Sequence, residues 1–73
     1  MTLRQFQKLR VGDSVMNKRQ PGIVLRVTNR KIDTLDRREY TVVEVESSSG
    51  RTWVHEMRAR EFVLVAEQVR MPL

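Results

Sequence analysis

Pro21-Gly22 is the step at which this chain has the least choice of path. Proline holds φ at about −65° and suits the second position of a type II turn. The third position needs a positive φ, which glycine adopts at little steric cost. The dipeptide therefore reverses the chain between Gln20 and Ile23. Beyond it, Ile23, Leu25 and Val27 alternate with Val24, Arg26 and Thr28, the period-two pattern of a half-buried strand. Before it, Ser14 to Asn17 is short and extended, with Val15 expected inward.

The rest of the chain repeats this punctuation. Tyr40 to Glu46 is rich in β-branched residues, with Tyr40 and Val42 on one face and Val43 and Val45 on the other. That change of parity predicts a bulge or a sharp bend. Ser47-Ser48-Ser49-Gly50 reads as a hairpin loop with Gly50 at positive φ. Arg51 to Met57, carrying Trp53 and Val54, is the next strand. Arg58 to Glu61 reads as one 3₁₀ turn, and Phe62 to Val65 as the last strand. Asn29 to Arg38 is read as a long polar connection, from which Ile32 and Leu35 fold back onto the core.

At the N-terminus, Thr2 and Gln5 have the spacing of a capping box. Leu3, Phe6 and Leu9 fall on one side of a short helix that Gly12-Asp13 follows. The expectation is an all-β fold, a small five-stranded SH3-like barrel with a short N-terminal helix. It forms a single domain over 1–73: helix about 2–9, barrel about 11–65, tail 66–73.

Size sharpens this reading. At 73 residues with no cysteine, neither a disulfide nor a thiolate metal site can supplement the core. Self-association is a second route to stability for so small a domain. No apolar run approaches the roughly 20 residues that span a bilayer, and the first residues lack the apolar stretch of a secretory signal. The expected setting is cytoplasmic, with no membrane partner.

The net charge is +5, and eleven of the fourteen basic residues are arginine. Arginine's planar fork suits phosphate and carboxylate, so nucleic acid or an acidic protein face is the expected class of partner. Catalysis is not expected. His55 is the single histidine, and Glu56 beside it in a strand points to the opposite face. Ser47 to Ser49 are ordinary turn formers. No Asp-rich loop has calcium spacing and no glycine-rich phosphate loop is present, so no metal or cofactor is expected.

The stretch LRVGDSVMNKRQPGIVLRV resembles the opening of many SH3-like small barrels, in which V-G-D-x-V enters the first strand and a glycine starts the second. KOW domains of ribosomal and transcription-elongation proteins share this outline. So does the RNA-polymerase-interaction domain of CarD and of transcription-repair coupling factor, to which Arg30 to Tyr40 and Trp53-Val54 are also similar. The resemblance covers about 10–65 and implies a module associated with nucleic acid or with a nucleic-acid-bound complex such as RNA polymerase. The plasmid-encoded type II dihydrofolate reductase shares the size and topology. Its V-Q-I-Y signature is replaced here by Trp53-Val54-His55-Glu56, so that activity is not carried over.

In a simple meander, the turns near 20 and 48 share one end and the 29–38 and 58–61 links share the other. The second end would then gather Arg30, Lys31, Arg37, Arg38, Arg58 and Arg60, the candidate nucleic-acid-binding residues. Lys18 and Arg19 are expected to form a solvated corner at the first end. Phe6 and Phe62 are expected in the core, with Tyr40 and Trp53 as candidates for the same core. That leaves few rings for base stacking and favours contact with phosphate. The rival expectation is a protein-interaction or inhibitor module that docks an acidic protein or adds a strand at an exposed edge.

Overall fold

Thr2 and Gln5 close the expected capping box. The Gln5 amide donates to Thr2 Oγ1 (3.1 Å) and the Thr2 amide to Gln5 Oε1 (2.8 Å). The helix they start, α1 (Leu3–Gln7), is shorter than expected. Phe6 from α1 and Leu9 just beyond it are buried, while Leu3 stays outside. The computed structural model describes residues 1–65, and the tail expected over 66–73 lies outside the described residues.

Five strands follow: β1 (Ser14–Asn17), β2 (Val24–Leu35), β3 (Arg38–Ser47), β4 (Gly50–His55) and β5 (Phe62–Val65). A 3₁₀ segment, Glu56–Glu61, joins the last two. All ladders are antiparallel, in the order β4-β3-β2-β1-β5. The core lies on one face, where Val15, Val27, Val43, Val45, Val54 and Phe62 meet Phe6, Leu9 and Ala59. The punctuation is as the sequence implies, with Gly22 at φ 96° and Gly50 at φ 129°. The Ile23 amide closes the first turn onto the Gln20 carbonyl (3.3 Å).

Three expectations need correction. The sheet is not closed into a barrel, because β4 and β5 are its two edges. Alternation of direction across the sheet makes β4 and β5 run the same way. The 3₁₀ segment therefore travels from one end of the sheet to the other instead of turning at one end.

The second correction concerns Asn29 to Arg38, which is not a loose connection. Asn29 to Leu35 pairs residue by residue with Glu44 to Arg38. The reversal is made by Asp36 and Arg37 alone, at φ 52° and 65°. Two positive φ values are the signature of a type I′ hairpin turn, whose twist matches that of the strands. Ile32 and Leu35 do not fold back but stand exposed on this ribbon.

The third concerns the irregularity expected in 40–46. It belongs to the neighbouring strand: Val27 faces Val45 and Asn29 faces Glu44, so Thr28 is the extra residue of a bulge in β2. Its hydroxyl donates to Glu44 Oε1 (3.0 Å).

Candidate nucleic-acid interface

β4 ends at His55, opposite Val42, so β2 and β3 continue past it as a two-stranded arm. Every residue from Asn29 to Glu39 is exposed. Register places Lys31, Asp33, Leu35, Arg38 and Tyr40 on one face of the arm, and Arg30, Ile32, Thr34, Glu39 and Thr41 on the other. Arg37 occupies the tip.

The root of the arm is fastened to α1. Glu56 Oε1 accepts from the Thr41 amide (2.7 Å) and from Gln7 Nε2 (3.3 Å), standing where β4 would have supplied the next partner. Arg30 Nη2 donates to the Gln7 carbonyl (3.0 Å), so this arginine holds the arm in place as well as lining it. Lys31 Nζ lies 3.9 Å from Asp33, an exposed pair of small worth. Arg37 and Arg38 make no ion pair among the described residues.

Of the six candidate residues, the structure brings Arg30, Lys31, Arg37 and Arg38 together on the arm and separates the other two. The Lys18 amide donates to the Glu61 carbonyl (2.8 Å) and Asn17 pairs with Phe62. The C-terminal end of the 3₁₀ segment therefore sits beside the Pro21-Gly22 turn, at the end away from the arm. Arg58 faces a shallow cleft there with Asn17, Gln20 and Arg51. Its Nε and Nη2 donate to Glu61 Oε1 (3.1 and 2.8 Å), and its guanidinium lies 5.7 Å from the centre of the Phe62 ring. The hydrogen bond raises the Arg58 pKa and lowers that of Glu61 below the usual carboxylate value. Arg60 lines a groove with Met1, Leu3 and Met57 between α1 and the 3₁₀ segment.

The aromatic residues are also placed differently from expectation. Phe6 and Phe62 are core, but Trp53 is 40% exposed and Tyr40 is half-buried. Both belong to the face of the sheet away from the core. Lys31 Nζ lies 4.6 Å from the centre of the Trp53 ring. Tyr40 and His55 stack with centroids 4.9 Å apart, tilted by 45°. His55 Nδ1 accepts from the Met57 amide (3.1 Å) and so caps the 3₁₀ segment.

The sequence held the signal for this surface. With Val54 committed to the core, alternation in β4 sends Trp53 and His55 outward. Among the described residues no cluster of three or more histidine, cysteine or carboxylate side chains could hold a metal ion, and no helix is long and apolar enough to cross a membrane. Comparison with protein-family models, with curated proteins and with solved structures finds no match for this chain.

Proposed function

We propose that this chain is a non-enzymatic nucleic-acid-binding module, an open-sheet fold that resembles SH3-like small barrels in its strand outline, which holds backbone phosphates with the β2–β3 arm. Arg37 and Arg38 carry this reading: two exposed arginines at the end of a paired ribbon, with no ion pair among the described residues. Arg30 and Lys31 extend the same basic surface toward the root. Arg58 drops out of the proposed contact set because Glu61 already occupies its fork, and Arg60 is remote from the ribbon tip. The resemblance to KOW and CarD-type domains makes a nucleic-acid-bound assembly such as RNA polymerase the proposed setting.

Salt is the discriminating variable. Binding to a short oligonucleotide should weaken with added salt, with a log–log slope of roughly −2 to −4 for three or four neutralised phosphates. Replacing Arg37 and Arg38 together by glutamine should flatten that slope by about one unit per lost contact. The same change at Lys18 and Arg19, at the opposite end, serves as the control and should matter less. Equal losses from the two pairs would show attraction by net charge alone and overturn the arm as the site.

The rival reading is a protein partner that adds a strand to the sheet, and the outer edge of β4, unpaired among the described residues, favours it. Such a partner would bind with little dependence on salt.

A further inference from the structure

The face of the sheet away from the core carries a feature that phosphate binding does not use. Three aromatic rings, Trp53, Tyr40 and His55, stand around Val42, which is buried although it lies on this outer face. Register puts Lys31 beside Val42 and His55, and Trp53 diagonally beyond them. Lys31 lies over the Trp53 ring, and Arg38 precedes Tyr40 by two residues on the same side of β3.

Two of the three acids of this face lie beside cations. Asp33 is near Lys31 and Glu46 binds Arg51 (3.1 Å), whereas Glu44, opposite Trp53, accepts from the neutral hydroxyl of Thr28. The surface is an exposed indole and a phenol ring bordered by Lys31 and Arg38, whose charge complements a phosphodiester, with Glu44 on the side away from Arg38. That combination recognises one chemistry: unpaired nucleobases on a polyanionic strand.

We propose that the outer face of β3 and β4 binds single-stranded nucleic acid, with a base stacked on Trp53, a second base near Tyr40, and Lys31 and Arg38 taking the intervening phosphates. The inference rests on the nucleic-acid reading above and adds the form of strand that is preferred. Lys31 moves from the ring to the strand as the base arrives. An exposed cation–π contact is weaker than a base–aromatic stack, so the exchange runs in that direction. A duplex offers its phosphates to the arm but keeps its base faces stacked inside, so it cannot use this surface.

Trp53 is the single tryptophan of the chain, so its fluorescence reports on this site alone. A short oligothymidylate should quench the emission saturably at low salt. A duplex of equal length and an abasic strand of equal length should bind without quenching. Trp53→Leu keeps an apolar cover over Val42 but removes the aromatic face. It should lower affinity for oligothymidylate by about tenfold or more, the worth of one stacked base, and leave affinity for the abasic strand unchanged. Trp53→Phe should recover most of the loss.

Oligothymidylate that binds without changing the emission would overturn the inference and leave the phosphate reading standing. So would equal affinity of the intact protein for oligothymidylate and the abasic strand. Failure of all three nucleic acids to bind at low salt would remove both.

Discussion

Glu56 is the single buried charged side chain among the described residues, and its environment explains why it is tolerated there. The carboxylate accepts from the Thr41 amide where β4 has left the sheet. A buried donor left without an acceptor costs on the order of 1–3 kcal/mol. Glu56→Ala should therefore destabilise the domain by about that amount in urea unfolding. Glu56→Gln, which keeps a carbonyl acceptor, should cost clearly less. Equal effects from the two would mean that side-chain bulk, not the hydrogen bond, is what matters at this position. Nothing in the sequence announced this role, because the partner is a backbone group. Strand alternation does not apply to Glu56, because β4 stops at His55 and this residue opens the 3₁₀ segment instead of continuing the strand expected as far as Met57.

At the scale of elements, the arm shows where sequence reasoning stops. Pro21-Gly22, Gly50 and the capping box were legible because each rests on a local steric rule, and the last strand was placed correctly; the 3₁₀ segment was anticipated only in part, since it starts at Glu56 instead of Arg58. The arm was not, because a ribbon wet on both faces has no apolar period to detect. Its turn also lacks the glycine that marks most hairpins: Asp36 and Arg37 adopt positive φ without one. Asn-Gly is the preferred pair for this turn. Replacing Asp36-Arg37 by Asn-Gly should therefore raise stability by about 1 kcal/mol, seen as a higher Tm. The same variant should bind nucleic acid more weakly, with one phosphate contact fewer in the salt slope. A lower Tm would show that the turn is held by contacts of Asp36 or Arg37 and not merely strained by them. Trp53 is the opposite case, a residue whose outward placement could be read from Val54 alone.

For the whole molecule, the crossing 3₁₀ segment decides how the charges are distributed. A simple meander would have put Arg58 and Arg60 beside the arm. The crossing carries Arg58 to the far end, where Glu61 binds it. The same crossing delivers Phe62 to the core, where it is buried against residues from both ends of the sequence. A domain of this size has on the order of 5 kcal/mol of stability to lose. Removing a buried phenylalanine ring costs about 3–5 kcal/mol. Phe62→Ala should therefore leave a measurable fraction of the chain unfolded at 25 °C by circular dichroism. A near-normal melt would mean that the sheet edge at β5 carries little of the fold's stability.

The shared direction of β4 and β5 also bears on the order of events during folding. β2, β3 and β4 are joined by reversals of two residues, at Asp36-Arg37 and Ser48-Ser49, so each hairpin closes a very small ring of chain. β5 must instead find β1 across most of the sequence, bringing Phe62 to Asn17. Ring closure costs chain entropy that grows with the logarithm of its length. The hairpins are therefore placed to assemble early, and β5 to lock last. Contacts made after the rate-limiting barrier govern how fast a protein opens and barely affect how fast it forms. In stopped-flow measurements, the ring at position 62 thus acts as a latch: without it, the unfolding limb should rise steeply while the refolding limb stays nearly where it was.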